Sequence, residues 1–409
     1  MEQERYHTAT LSNGLRIIHM ESPSMVTYCG FAVDAGTRDE DDATPGMAHF
    51  IEHMLFKGTE KRKSWHILNR MENVGGNINA YTNKEETVLH CSFMREHLPR
   101  AVELLCDIAF HSTFPEHEIG KEVEVIMDEI DSYEDSPADL IFDDIESLIF
   151  SQHPLGRNIL GDKEHLQQYT PADALTFYSR TYCPDNMVFF IIGNHDFNHI
   201  VRLVERYSCD VDRRACVPQR NRPDGMHGCT QTMAKDTRQT HVAIGAPSFS
   251  GDDRLLVAAN LLTNILGGPG MNSRLNVALR EHSGLVYDVE ASNTAYTDTG
   301  IFCVYFGCNK EDTDRCLDIV NKEFGKIRKG ITPSQLHMAK KQFIGQAGVA
   351  SDNNENNALG MARTFLHYDR YVTFDEFCSR VESLTPEQFN DAANRILAPE
   401  MLSTLMYLP

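Results

Sequence analysis

Hydrophobic and polar positions along this chain follow helix and strand periods in an order that occurs twice. The segment TPADALTFYSRTYCPDNMVFFIIG begins at Thr170, and the segment TPEQFNDAANRILAPEMLSTLMYL begins at Thr385. Each combines a Thr-Pro helix start, an amphipathic stretch, a proline stop and an apolar run that is typical of a strand. Thr170 and Thr385 lie 215 residues apart, as do Pro184 and Pro399.

A second pair of matching segments lies upstream. The strand-like runs TYCGFAVD, from Thr27, and THVAIGAP, from Thr240, are 213 residues apart. Two matches at nearly the same offset indicate a tandem duplication. We therefore predict an α+β fold of two homologous domains, each a mixed, mainly antiparallel sheet packed with helices. The first domain would cover 1–210 and the second 231–409, joined by a linker over 211–230 that is rich in Arg, Pro, Asn and Gly.

Length and charge narrow the class of protein. A chain of 409 residues is long enough for two or more domains. Its 38 basic and 59 acidic residues give a net charge of −21, which disfavours nucleic acid and anionic membranes as primary partners. Such a surface favours basic peptides or metal cations, although acidity is more often a means of staying soluble. No apolar run approaches the roughly 20 residues that cross a bilayer.

The N-terminal residues and the cysteines indicate the cellular compartment of the protein. The opening residues MEQERY contain no basic region followed by an apolar core, so we expect no secretory signal. Eleven cysteines are scattered without any Cys-x-x-Cys pair. We therefore expect free, mostly buried thiols in a reducing compartment, with the cytoplasm as the default location.

The clearest chemical motif is His49-Phe50-Ile51-Glu52-His53. It follows Pro-Gly, and we predict a helix that starts near Thr44. Histidines four residues apart share a helix face and can bind one zinc ion, while Glu52 can accept a proton from a water held there. The alternative is two unrelated histidines beside a solvated glutamate.

A third ligand would decide between these interpretations. The segment from Glu116 to Glu134 predicts a charged amphipathic helix whose apolar stripe contains Val123, Ile126 and Ile130. Glu122 and Glu129 are two turns apart and so share a face of this helix. From spacing alone, both could equally be solvated surface acids.

The run HFIEHMLFKGT, from His49 to Thr59, resembles the active-site helix of the pitrilysin/insulinase family, the inverzincins. The length and the two-half layout resemble the branch that includes mitochondrial processing peptidase and its bacterial relatives. The family's third zinc ligand is a glutamate about 76 residues past the second histidine, which implies Glu129. The resemblance also implies one zinc ion per chain, Glu52 as the base, and Glu122 as the support of a ligating histidine.

Two further stretches resemble substrate-binding parts of that family. The run GGNINAYT, from Gly75 to Thr82, resembles its substrate-binding edge strand, although an ordinary edge strand would show the same alternation. The strand residues implied to bind substrate are Asn79, Ala80, Tyr81 and Thr82. Arg280 and Tyr287 have the spacing of the pair that stabilises the tetrahedral intermediate in active members. The alternative is a surface arginine on a helix and a tyrosine at the start of a strand.

The resemblance implies a function and an assembly. We expect a zinc endopeptidase that cuts extended oligopeptides held as an added strand in an enclosed chamber. A homodimer would complete each site if Arg280 and Tyr287 reached the zinc of the partner copy; a heterodimer with a degenerate paralogue is the alternative assembly. The alternative function is a non-catalytic scaffold or partner subunit, and intact site residues argue against it. A metallohydrolase acting on a non-peptide substrate has no support in the sequence.

Overall fold

The computed structural model describes residues 6–214, 216 and 218–409. Residues 1–5, which carry most of the opening used to judge secretion, lie outside the described residues, as do 215 and 217 of the predicted linker. The other linker residues up to Cys229 form neither helix nor strand.

The strands form two sheets whose strand orders match apart from one additional edge strand in the first sheet. In the described residues the strands are β1 (Tyr6–Thr10), β2 (Arg16–Glu21), β3 (Val26–Val33), β4 (Asn77–Thr82), β5 (Thr87–Met94), β6 (Met187–Gly193), β7 (Thr230–Ala234), β8 (Thr240–Ser248), β9 (Val286–Ala295), β10 (Gly300–Cys308) and β11 (Ser403–Leu408). The first sheet has the order β1-β2-β6-β3-β5-β4, and the second has the order β7-β11-β8-β10-β9. Each contains one parallel pair, β2 with β6 and β11 with β7, and its other pairs are antiparallel. The predicted α+β fold of two mainly antiparallel sheets is confirmed.

The α-helices in the described residues are α1 (Met47–Met54), α2 (Ser64–Glu72), α3 (Leu98–His111), α4 (Glu116–Glu134), α5 (Pro137–Ile149), α6 (Lys163–Leu166), α7 (Pro171–Thr181), α8 (Phe197–Ser208), α9 (Leu256–Gly267), α10 (Thr313–Arg328), α11 (Pro333–Ala350), α12 (Asn354–Tyr368), α13 (Phe374–Ser383) and α14 (Pro386–Ile396). Two of them, α7 and α14, start where the repeated Thr-Pro motif predicted. Thr170 and Thr385 cap α7 and α14 through reciprocal hydrogen bonds with Asp173 and Gln388. No described helix is both long and apolar enough to cross a membrane. The cytoplasmic location stays a prediction.

The chain folds into two compact units, each built from three segments. Unit 1 contains the described residues within 1–130, 157–220 and 351–373, and unit 2 contains residues 131–156, 221–350 and 374–409. The domains inferred from the sequence are continuous stretches, whereas each compact unit includes a helix-bearing segment from the opposite half of the chain. The reason lies in which apolar surfaces these segments cover.

The first sheet is covered on both faces. Helix α12 packs Met361, Ala362 and Phe365 against apolar side chains of one face, including those of Ile18 and Phe190. The opposite face carries the core formed with α1, α3, α7 and α8. Strand β6 is consequently buried along its whole length, as expected for a strand between two helical layers. In unit 2, α5 covers one face of the second sheet in the same manner.

A buried ionic network ties α12 to the turn between β4 and β5. The Glu86 carboxylate accepts hydrogen bonds from Arg363 Nε at 2.6 Å and Asn83 Nδ2 at 3.0 Å, and lies 2.8 Å from His367 Nε2. His367 Nδ1 lies 3.4 Å from Asp34 Oδ1. Burial alone would raise the pKa of Glu86, but these partners, His367 above all, lower it to about 2. The network therefore holds the turn of the β4–β5 hairpin against α12.

One disulfide contradicts the expectation of free cysteines only. Cys183 and Cys216 are bonded, with Cα atoms 6.4 Å apart across 33 residues of sequence. The expectation was wrong for this pair because tertiary contact, not local spacing, brings the two thiols together. The remaining nine cysteines are free, and six of them are buried.

The Glu86 network generates a stability prediction. Glu86→Gln should destabilise the protein by about 3 kcal/mol near pH 7, because it removes one charge of a buried, paired group. The folded-state pKa is about 2 and the ordinary value is 4.5, so this contribution is complete above pH 4.5 and is lost as the pH falls towards 2. Thermal and urea unfolding should show that the difference in free energy of unfolding between wild type and variant decreases from pH 7 to pH 3.

The matched control is Glu205→Gln on α8, where the glutamate is exposed. It should change stability by less than about 0.5 kcal/mol at every pH. A Glu86 variant that matched this control near pH 7 would show that the buried network does not stabilise the fold.

Candidate metal centre

Helix α1, which carries the two candidate histidine ligands, begins three residues after the start predicted near Thr44. Gly46 precedes it with a φ of 88°, a left-handed conformation that favours glycine. The buried Glu40 carboxylate accepts hydrogen bonds from the N–H groups of Gly46 and Ala48, both at 2.8 Å. A Cβ at position 46 would lie 2.7 Å from the Cα of Gly161. The predicted start was wrong because Glu40 and this close backbone contact set the first turn.

The two histidines of α1 present their rings on one face. The ring centroids of His49 and His53 are 4.7 Å apart. Burial, with a smaller contribution from His53, lowers the pKa of His49 to about 3. Its imidazole is therefore neutral near pH 7 and retains the lone pair that a metal ligand needs.

Glu129 of α4 lies beside both rings. Its Oε2 atom is 3.8 Å from His49 Nε2 and 3.5 Å from His53 Nε2. One ligand atom from each of the three residues lies within 4.8 Å of the others. Around bonds of about 2.1 Å at tetrahedral angles, ligand atoms stand about 3.4 Å apart, so a small closure of this cluster would match one zinc ion. Two imidazoles and one carboxylate are also a known donor set of catalytic zinc sites.

Glu122, two turns before Glu129 on α4, holds the other nitrogen of His53. Its Oε2 atom lies 3.3 Å from His53 Nδ1, and its Oε1 atom lies 2.5 Å from Lys57 Nζ. Burial would lower the pKa of His53, but the bond to Glu122 and the nearby carboxylates of Glu52 and Glu129 raise it. A partner on Nδ1 orients the ring so that Nε2 faces Glu129. Glu122 thus contacts one of the two candidate histidine ligands, and its supporting role stays a prediction.

Two supporting residues were missed by the sequence reasoning. Lys57 stands inside the quoted run HFIEHMLFKGT, four residues after His53, and that spacing was the available signal. Glu40 lies outside any motif, and its contact with the start of α1 had no local signal. Lys57 contacts Glu122, which orients a candidate ligand, and Glu40 contacts the first turn of the helix that carries both histidines.

Glu52 lies on α1 between the two histidines and faces strand β4. Its Oε2 atom accepts a hydrogen bond from Thr82 Oγ1 at 2.8 Å. Burial raises the pKa of Glu52, and the charge of Glu129 adds to this, while the bond from Thr82 and the charge of His53 oppose it. A glutamate with a raised pKa beside candidate metal ligands is suited to proton transfer.

Strand β4 is an edge strand, as the sequence predicted. It pairs with β5 on one side and with no other described strand on the outer side. Asn79 is exposed, and Tyr81 packs against the apolar cluster that contains α12. Ala80 belongs to the core shared with α1, and the Thr82 side chain is buried. The outer main chain of β4 is therefore the part that remains available for pairing.

Arg280 and Tyr287 lie in unit 2, whereas the candidate ligands lie in unit 1. Arg280 is on a π-helical turn, Asn276–Glu281, and Tyr287 is near the start of β9. The guanidinium carbon of Arg280 is 6.0 Å from the ring centroid of Tyr287, and Tyr287 is 87% exposed. The two residues are thus neighbours, and their role towards a metal stays a prediction.

Comparison with known families covers most of the chain. Residues 16–163 match the family model "Insulinase (Peptidase family M16)", and residues 168–343 match the model "Peptidase M16 inactive domain". The two matches follow each other along the chain, and the second begins inside the first predicted domain, 1–210.

Relatives and solved structures agree with this assignment. The chain is 28% identical to an uncharacterized zinc protease of Bacillus subtilis, over 97% of each chain. It is 31% identical to an uncharacterized zinc protease of Streptomyces coelicolor, over 95% of this chain and 86% of the relative. The crystal structure of a protease from Helicobacter pylori shares the fold, with a TM-score of 0.93 at 20% identity and full coverage of both chains. This chain belongs to the insulinase family of peptidases.

Proposed function

We propose that this protein is a zinc-dependent endopeptidase that hydrolyses extended oligopeptides or unfolded segments. The observation that supports it most is one cluster of His49, His53 and Glu129, with Glu52 beside it and an open edge strand next to Glu52. Relatives named zinc proteases support the same metal and reaction class.

His49, His53 and Glu129 would hold one zinc ion per chain. Such an ion, when bound, polarises a peptide carbonyl and lowers the pKa of a water molecule. Glu122 and Lys57 keep the His53 ring oriented for this purpose. The neutral imidazole of His49 supplies its lone pair without first losing a proton.

Glu52 acts as the general base in this proposal. Its carboxylate takes a proton from the attacking water and later gives it to the leaving amine. A pKa raised by burial suits a carboxyl group that must both accept and release a proton near neutral pH.

The substrate would pair with the outer main chain of β4. Strand addition supplies main-chain hydrogen bonds with little dependence on side chains, which suits an extended peptide of varied sequence. Asn79 would contact the peptide from the exposed side of the strand, and Ala80 and Tyr81 would shape the strand beneath it.

Arg280 and Tyr287 would stabilise the developing oxyanion by hydrogen bonding. We propose that a second copy of the chain supplies this pair in a homodimer that encloses the substrate. The exposure of Tyr287 leaves its hydroxyl free to reach a partner's substrate. A heterodimer with a degenerate paralogue is the alternative assembly.

The metal assignment predicts the effect of removing one ligand. Wild type should contain one zinc per chain and lose peptide hydrolysis with a chelator, and added zinc should restore it. Glu129→Gln should weaken zinc binding by at least about 100-fold, and Glu124→Gln, an exposed acid on the same helix, should not. Metal analysis and an unstructured peptide substrate measure both effects. Metal-free wild type without hydrolysis would instead favour the scaffold alternative.

The base assignment predicts a separation of binding from chemistry. Glu52→Gln should retain zinc at wild-type stoichiometry and lower kcat by about 100- to 10,000-fold, because it keeps the shape of the side chain and removes the proton acceptor. Steady-state hydrolysis with metal analysis of the same sample tests this. Unchanged kcat would remove Glu52 from the reaction.

The assembly predicts complementation. Glu52→Gln mixed with Arg280→Ala should recover roughly a quarter of wild-type activity after subunit exchange, since half the dimers would be mixed and each would hold one complete site. Arg280→Ala mixed with Tyr287→Phe is the matched control. It should recover no activity, because every Arg280–Tyr287 pair then lacks one of its two residues. Equal activity in both mixtures would contradict donation in trans.

A further inference from the structure

Thr82 makes a contact that its assumed role in substrate binding does not explain. It is the last residue of β4, and only 8% of it is exposed. Its hydroxyl donates to the Glu52 carboxylate at 2.8 Å instead of pointing towards the open side of the strand. The hydroxyl of Thr82 is thus used by a residue proposed to take part in catalysis.

A neighbouring threonine limits the directions in which the Thr82 proton can point. Thr87 faces Thr82 across the β4–β5 hairpin, and their hydroxyl oxygens are 3.4 Å apart. Thr87 donates its own single hydroxyl proton to the carbonyl oxygen of Ala35 at 3.0 Å. Thr82 therefore has Glu52 and Thr87 as acceptors, and the closer, charged carboxylate is the stronger one.

We propose that Thr82 is a positioning residue, whose hydroxyl holds the Glu52 carboxylate in one orientation from the end of the strand that receives the peptide. The inference rests on the proposed peptidase function and adds a residue to its machinery. Thr82 does not touch the reacting atoms and acts only through Glu52.

Three properties of the site suit this role. Thr82 is β-branched, so its χ1 angle is restricted, and its backbone is fixed by pairing with Thr87. A hydroxyl can donate to a carboxylate and accept from a carboxylic acid, so the contact survives when Glu52 takes up a proton. The Thr82 side chain is buried, which leaves little access for a water molecule that could replace the hydroxyl. Without Thr82, the flexible Glu52 side chain would sample several rotamers.

Two substitutions separate the hydroxyl from the shape of the side chain. Thr82→Val keeps the branched shape and removes the hydrogen bond, and Thr82→Ser keeps the hydroxyl and removes a methyl group. We expect Thr82→Val to lower kcat by about 10- to 100-fold, the usual effect of a lost hydrogen bond to a charged group. KM and zinc content should stay within twofold of wild type because the β4 main chain and the ligands are unchanged. Thr82→Ser should retain most of kcat.

A double variant tests whether Thr82 acts through Glu52. Adding Thr82→Val to Glu52→Gln should cause no further loss of kcat, because the group that Thr82 orients has been removed. An equal loss of kcat in the valine and serine variants, or a further loss in the double variant, would overturn the proposal.

A second readout does not depend on peptide hydrolysis. Crystal structures of zinc-loaded wild type and both Thr82 variants should show one ordered Glu52 carboxylate in wild type and Thr82→Ser, and several rotamers in Thr82→Val. A single unchanged Glu52 rotamer in Thr82→Val would overturn the positioning role. Inactive wild type with the expected change of rotamers would defeat the peptidase function and leave the positioning contact standing.

Discussion

The apolar core that α4 shares with α1 is the constraint on which the candidate centre depends. Val123, Ile126 and Ile130 of α4 are buried in the same core as Phe50 and Ile51 of α1. This apolar stripe fixes the rotation of α4, and two glutamates that are two turns apart then meet opposite nitrogens of His53. Because one helical residue corresponds to about 100° of rotation, a shift of the stripe by a single position would carry both carboxylates away.

The centre concentrates groups that are costly to bury together. Glu52, Glu122 and Glu129 lie close to two imidazoles, and burial acts against the charged forms of Glu52, Glu122 and both histidines. Lys57 and the hydroxyl of Thr82 compensate part of that cost within the chain. A bound divalent cation would compensate more of it, because its charge is opposite to that of the carboxylates. The same desolvation that makes the cluster costly gives His49 and Glu52 their altered pKa values.

The two units show that architecture and chemistry are separable in this protein. Apart from the extra strand β1, their sheets share strand order and the place of the parallel pair, yet the candidate ligands found among the described residues lie in unit 1. Helix α9, the first helix after β8, has the sequence LVAANLLTNILG and contains no histidine or acidic residue. Its side chains serve the core instead. Two similar sheets therefore differ in the side chains placed on them, as expected when function depends on a few residues on a common scaffold.

The sequence by itself determined the repeated layout, the capped starts of α7 and α14, the bounds of α4 and the shared face of Glu122 and Glu129. These features follow from helix and strand periods and from capping, which act over a few residues. Only the tertiary structure decided that Glu40 caps α1, that Cys183 meets Cys216, and that Thr82 turns its hydroxyl to Glu52. It also decided which half supplies the helix that covers each sheet. Each of these contacts joins segments distant in sequence or outside any motif, so packing sets them and no local pattern records them.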